Sequence, residues 1–329
     1  MDAVEMKRTG DQVDSARDRP ETETEQPQLH MVDAGGLPLA VFEWRVSCRG
    51  QGPSIVLVHA TGFHARCWDR IVRLLPGRHV LAIELRGHGR SGSRALAHWR
   101  ELGADLAAAG QRLGVRDALW AGHSAGGHAV TVAAALEPSL CARLVLIDPV
   151  IFAPEAYARG WNPMAPPPGQ RHPVARRRND FASVEEMVEA LRTRPPYVQF
   201  DAVTLHDYCA HGLKPAAGGA GFELCCAPAF EAGVYETGAS NREIHDAVRS
   251  IRVPVTVLRA KEPTAAEHYR DFAYSPTWPA LAAAFEAGRD VPLPSLGHMI
   301  PMLAPERTAA LIAAEADALA TVRPRRENP

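Results

Sequence analysis

The sequence predicts an α/β fold with a mostly parallel sheet covered by helices on both faces. Three observations carry that expectation. Short β-branched apolar runs recur between helix-compatible segments from about residue 29 onward. A serine between glycines, Gly122-His123-Ser124-Ala125-Gly126, stands where one such run gives way to a helix. A stretch rich in Pro and Gly then breaks the rhythm over 152–248, after which the alternation resumes.

The elements follow in order. Residues 1–28 are polar, with Glu21-Thr22-Glu23-Thr24-Glu25 and almost no aromatics. Such a segment buries too little surface to offset its ordering entropy, so a disordered tail is expected. Val41-Phe42-Glu43-Trp44 alternates like a strand, and Ile55-Val56-Leu57-Val58 reads as a buried one. Residues 66–75 suit a helix, His79 to Ile83 a second buried strand, and 99–113 another helix. Ala118-Leu119-Trp120-Ala121 is strand-like, and Gly127 to Ala135 is rich in small helix-compatible residues. Leu144-Val145-Leu146-Ile147, Val253 to Leu258 and Val291-Pro292-Leu293 complete the strands. The intervening 152–248, with Pro166-Pro167-Pro168, Pro195-Pro196 and Gly218-Gly219, reads as an insertion between two core strands. The chain thus divides into a first core part at 29–151, the insertion, and a second core part at 249–329. No internal repeat is evident.

Composition narrows the function classes. At 329 residues with 46% hydrophobic content, the chain can bury a substantial core. A formal net charge of −2 makes no electrostatic case for nucleic acid or an anionic membrane. The six cysteines, at 48, 67, 141, 209, 225 and 226, form no C-x-x-C pair, so no zinc or redox motif is read. Cys225-Cys226 is read as local packing, not a disulfide. No apolar run reaches membrane-spanning length and no signal-like start is seen, so a soluble cytoplasmic protein is expected.

Nucleophilic hydrolysis by a serine needs a hydroxyl, a base, an acid that orients the base, and donors for the oxyanion. Ser124 is the candidate hydroxyl, held up on a sharp strand-to-helix turn. His298, in Leu296-Gly297-His298-Met299-Ile300-Pro301, is the candidate base, because a loop after a late strand can reach back over the sheet edge. His123 is expected to pack or hydrogen-bond locally, and His88 to belong to the turn Arg86-Gly87-His88-Gly89-Arg90-Ser91-Gly92. The oxyanion donors are expected to be the amides of Ala125 and Thr61, with Gly62 or Phe63 as alternatives to Thr61. Two carboxylates compete for the acid. Asp148 ends one strand and precedes Pro149; Glu262 follows another and precedes Pro263. Asp148 is preferred and Glu262 stays open.

Together these residues resemble the α/β-hydrolase superfamily. The resemblance runs from about residue 30 to the end, apart from the insertion. It rests on His59-Ala60-Thr61-Gly62-Phe63, the Arg86–Gly92 turn, the Ser124 elbow and Gly297-His298, in family order. It implies an α/β-hydrolase fold with a helical cap supplied by the insertion. Two departures stand out: His59-Ala60 replaces the common His-Gly, and Arg259-Ala260-Lys261-Glu262 lacks the Asp that many members carry after the seventh strand. Members that place the acid after the sixth strand match Asp148, 24 residues beyond Ser124.

The resemblance implies a cofactor-free serine hydrolase, without a metal, of an ester or lactone with a hydrophobic body. Carbon–carbon bond hydrolysis, acyl transfer and perhydrolysis use the same parts, and a receptor-like ligand-binding member is the alternative from another class. Epoxide hydrolases and haloalkane dehalogenases among the relatives use an Asp nucleophile where this chain has Ser124. Phe63, Phe152, Trp161 and Tyr197 are expected to contact substrate. Phe181, Phe200, Phe230 and Tyr235 are further lining candidates. The run Arg176-Arg177-Arg178 reads first as a solvated face, and second as a carboxylate-binding group.

Overall fold

Alternation along each central strand sends successive side chains to opposite faces of one sheet, and two apolar layers form there. In the computed structural model, which describes residues 26–322, the core begins with β1 (Gln28–Asp33), β2 (Pro38–Trp44), β3 (Ile55–Val58), α1 (Asp69–Arg73), β4 (Val80–Ile83), α2 (Arg100–Arg112), β5 (Ala118–His123), α3 (Ala125–Leu136) and β6 (Cys141–Ile147). An excursion follows through α4 (Pro154–Ala158), β7 (Asp180–Phe181), α5 (Val184–Leu191), α6 (Ala202–Gly212), β8 (Leu213–Pro215), β9 (Phe222–Leu224), α7 (Pro228–Glu236) and α8 (Ile244–Ser250). The chain closes with β10 (Val255–Arg259), α9 (Leu281–Ala284), β11 (Gly288–Pro292), α10 (Ile300–Leu303) and α11 (Pro305–Val322). Most of the expected tail lies outside the described residues, and Gln28 already belongs to β1.

The main sheet has the order β1-β2-β4-β3-β5-β6-β10-β11. β2 pairs antiparallel with β1 and β4, and the remaining pairings are parallel. Val56, Val58, Trp120 and Leu146 face a layer built from α2, α3 and α8. Ile55, Leu57, Leu119 and Ile147 face the opposite layer, built from α1 and α11. Each fully buried aliphatic side chain contributes about 1.5–3 kcal/mol relative to exposure. The two layers therefore fix the strand ends that carry the site.

The excursion is not purely helical. It carries a three-stranded antiparallel sheet of order β7-β9-β8 and its own apolar cluster, including Phe181, Met187, Phe200, Leu205, Tyr208 and Leu224. Its two ends behave differently from its middle. Phe152, Tyr157, Ile244 and Val248 pack into the main core, so both margins of 152–248 are part of the core face.

β3 leads to β4 on one side while β5 lies on the other, so the sheet has a switch point between β3 and β5. Loops leaving the carboxyl ends of parallel strands diverge there and open a crevice.

Candidate active site

Ser124 alone makes the turn between β5 and α3, with φ 57° and ψ −119°. A non-glycine residue in that region stores about 1–3 kcal/mol of strain. The surroundings hold it: its amide donates to the Ile147 carbonyl at 3.0 Å, and its own carbonyl accepts from Val150 at 3.1 Å. The flanking glycines are steric requirements. A Cβ on Gly122 would lie 2.4 Å from the Gly126 carbonyl oxygen, and one on Gly126 would lie 2.4 Å from that of Val58.

The loop after β11 brings His298 over this turn. Nε2 of His298 lies 2.9 Å from the Ser124 hydroxyl, and Nδ1 lies 2.6 Å from Oδ2 of Asp148. Asp148 follows β6, is fully buried, and takes φ 45°. Its Oδ1 accepts from the Ala260 amide at 2.9 Å, the Ser275 hydroxyl at 2.5 Å and the Thr277 hydroxyl at 3.3 Å. Oδ2 is thereby left for the imidazole, which keeps Nδ1 protonated and turns an unprotonated Nε2 toward the serine. Glu262 is elsewhere: it is exposed and pairs with Arg259 at 2.6 Å.

The His298 backbone is held as well. Its amide donates to the Phe272 carbonyl at 2.7 Å, and the Phe272 ring stacks on the imidazole with centroids 6.1 Å apart. Nε2–H of His123 donates to the His298 carbonyl at 2.8 Å. Burial, then the nearby His298, pushes the pKa of His123 down to about 3, so it stays neutral and keeps that proton to donate.

The loop after β3 faces Ser124 across the switch point. Of the three candidate donors there, the Gly62 amide is taken by Nε2 of His88 at 2.9 Å and the Phe63 amide by the Ala60 carbonyl at 3.1 Å. That leaves Thr61, which lines the same cavity as Ser124. Two neutral imidazoles brace the loop. His88 donates through Nδ1 to the Arg86 carbonyl at 2.8 Å, and His59 donates through Nδ1 to the Ala60 carbonyl at 2.8 Å while accepting the Leu85 amide at 3.0 Å. Burial lowers the pKa of His88 to about 4 and that of His59 well below the usual range.

Two adjoining cavities open here, of about 300 Å³ and about 250 Å³. The first holds Ser124, His298 and Thr61; both share Thr61, Val174, Tyr235, Phe272 and Met299. Phe63 and Tyr197 line the second cavity. Phe152 lines neither, because it enters the main core against Tyr157 as the chain leaves β6. Trp161 also lines neither; it is exposed and packs edge-on against Tyr269. Phe272, Ser275 and Thr277 were not anticipated from sequence, since 260–280 carries no periodic pattern. All six cysteines are free thiols. Among the described residues no group of three or more His, Cys, Asp or Glu is placed to hold a metal, and no helix is long and apolar enough to cross a membrane.

Chemically, the arrangement can remove a proton from a strained, cavity-lining hydroxyl and return it to a leaving group, beside backbone amides that can donate to a developing oxyanion. Comparison with known proteins points the same way. Residues 55–311 match the model described as "Alpha/beta hydrolase family". The chain is 32% identical over 117 residues to the pimeloyl-[acyl-carrier protein] methyl ester esterase of Vibrio vulnificus (strain YJ016), covering 35% of this chain and 44% of that protein. It is 30% identical over 140 residues to the esterase Rv0045c of Mycobacterium tuberculosis, covering 40% of this chain and 43% of that protein. The chain thus matches under half the length of these curated relatives. Among solved structures, an E-2-(acetamidomethylene)succinate hydrolase superposes with TM-score 0.65 at 21% identity, over 88% of this chain and 99% of that one, a likeness of fold.

Proposed function

The chain belongs to the alpha/beta hydrolase family, and from that premise we propose that it is a serine hydrolase of carboxylic esters or lactones. The observation that carries the reading is the continuous relay from Ser124 through His298 to Asp148. The esterases among its relatives support the same reaction class.

In this reading Nε2 of His298 takes the proton as the Ser124 oxygen attacks the substrate carbonyl. Asp148 stabilises the imidazolium that forms. The Ala125 and Thr61 amides hold the oxyanion, which a donor pair of this kind stabilises by several kcal/mol, about 3 for one donor. Collapse expels the alcohol, which takes the proton from His298 and leaves an acyl group on Ser124. A water then loses its proton to His298 as it attacks the acyl carbonyl; on collapse the bond to the Ser124 oxygen breaks, that oxygen takes the proton back from His298, and the acid is released. Ester and water become acid and alcohol, and every proton is accounted for within the relay. Within residues 152–248 the middle stretch serves as the cap, and with residues 269–276 it shapes the two cavities. The apolar lining of Phe63, Phe181, Met187 and Leu224 suits a hydrophobic portion of the substrate.

The test is labelling by a fluorophosphonate, read by intact mass and peptide mapping. One adduct on Ser124, absent in Ser124→Ala, is expected. Ser124→Ala should lower kcat by about 10⁴-fold or more with the melting temperature held. Turnover that survives the substitution would sink the mechanism. Parallel assays on esters and lactones of matched chain length, and with alcohol or peroxide added as acceptor, separate hydrolysis from acyl transfer and perhydrolysis.

A further inference from the structure

The arginine run at 176–178 does not form one solvated face. Arg176 ends a short 3-10 turn and Arg177 continues in extended conformation, so neighbouring side chains diverge. Arg176 lines the cavity that holds Ser124. Arg177 turns inward to Glu231 at 2.7 Å. Arg178 pairs with Glu186 at 2.6 Å and lies over the Phe181 ring at 4.6 Å.

The two joined cavities are lined by six arginines (171, 176, 177, 178, 194 and 270) but only two carboxylates, Glu231 and Asp271. Arg177 and Arg178 are paired with carboxylates. Among the described residues Arg171, Arg176, Arg194 and Arg270 have no carboxylate partner, although Arg270 donates through Nε to the Pro163 carbonyl at 3.2 Å. Asp271 is engaged at the backbone, accepting from the Ala273 amide at 2.9 Å. The lining of the two cavities is therefore positive, although the chain as a whole carries a net charge of −2. A cleft of one sign with low-dielectric walls concentrates ligands of the opposite sign. Planar guanidinium groups suit carboxylate and phosphate oxygens in particular.

Resting on the hydrolase reading above, we propose that the substrate is an anionic ester: an apolar body for the second cavity joined to a carboxylate or phosphate held by the arginine rim at Arg171, Arg176 and Arg270. The rim governs capture, and Ser124 the bond broken.

The experiment compares monomethyl glutarate with methyl valerate, which differ by a carboxylate in place of a methyl, following methanol release. A kcat/KM ratio of about tenfold or more in favour of the anion at low salt is expected, shrinking as salt screens the exposed rim. In the Arg171→Gln/Arg176→Gln/Arg270→Gln variant the ratio should fall toward one, carried by KM. Butyrate and propyl phosphate as competitors at equal ionic strength distinguish the two anion chemistries. Equal wild-type kcat/KM for the two esters, or an unchanged ratio in the triple variant, overturns the proposal while leaving the hydrolase reading intact. If neither ester turns over and no fluorophosphonate adduct forms, the hydrolase reading fails. The charge preference is then decided by calorimetric binding of the same two esters to folded protein: tighter binding of the anion supports the rim, and equal binding overturns it.

Discussion

The Gly62 amide donates to Nε2 of His88 at 2.9 Å, and this one bond ties the loop after β3 to the Arg86–Gly92 turn after β4. With the Phe63 amide held by the Ala60 carbonyl, it leaves Thr61 as the candidate donor opposite Ser124. The bond requires a neutral imidazole, which burial provides by lowering the pKa of His88 to about 4. His88→Ala should cost about 1–3 kcal/mol for the buried donor left unpaired, and lower kcat about tenfold through loss of loop position. His88→Gln, whose side-chain oxygen can accept the same amide, should recover part of both. Urea midpoints and kcat on 4-nitrophenyl butyrate test this; equal kcat in all three proteins would separate the loop from catalysis.

The choice between the two carboxylates makes a sharper prediction. Asp148 meets His298 at 2.6 Å, whereas Glu262 is bound to Arg259 at the surface. Asp148→Asn should therefore reduce kcat by about 10³–10⁴-fold, because the amide favours the wrong imidazole tautomer. Glu262→Gln should stay within about twofold, as an exposed pair contributes little. Ser275→Ala, which removes a hydroxyl from the far oxygen of Asp148, should fall between them. A larger loss at Glu262 than at Asp148 would reassign the acid.

Why the residues of the elbow were legible on their own, while its acid was only preferred with Glu262 left open, follows from range. Gly122 and Gly126 are demanded by contacts within a few residues and with the adjacent strand end, so the pattern is written locally. Asp148 and Glu262 look alike in sequence, each after a strand and before a proline. What separates them is the pairing of β6 with β10 and the return of Ser275 and Thr277 from an aperiodic segment. No local signal encodes that. Phe152 and Trp161 misled for a related reason: aromatic content marks burial or a pocket alike, and only tertiary placement tells them apart. The arginine run reads as a solvated face until the backbone after Arg176 turns extended and disperses it.

Acid should weaken the fold through its buried histidines. Burial lowers the pKa of His64 and His123 to about 3 and of His88 and His128 to about 4, against about 6.5 when unfolded. The unfolded chain thus binds more protons between those limits. Stability is full above pH 6.5, falls as pH drops below it, and stops falling from this source below about 3 to 4. At pH 5 each such histidine costs on the order of 2 kcal/mol. Asp69, Glu84 and Glu231 oppose them: burial raises each pKa, that of Asp69 to about 6 from 3.8, so the folded state gains protons there as pH falls. The lowered histidines, which His59 and His211 join, outnumber these carboxylates. The urea midpoint should drop steeply from pH 7 to pH 5, and a flat or rising profile would mean these imidazoles are not held neutral.

The Arg177–Glu231 pair should show that a buried ion pair is costly to break and cheap to replace. Glu231 is 4% exposed, and burial raises its pKa while Arg177 counters by charge. The carboxylate also packs on the loop after β3, its Oε1 lying 2.4 Å from where a Gly62 Cβ would sit. Glu231→Gln leaves a largely buried guanidinium without its counter-charge, a loss of about 3 kcal/mol or more. Removing both charges with apolar residues of similar volume, Arg177→Met with Glu231→Leu, spares that penalty and should be milder than either single change. Because Glu231 bears on Gly62, the single variant should also lower kcat for esters, while the double variant keeps the loop packed and loses less. Urea unfolding of the wild type, Arg177→Met, Glu231→Leu and the double variant, with kcat measured on each, gives the coupling directly. Additive losses would mean the pair acts as two independent surface charges, against its burial beside the loop after β3.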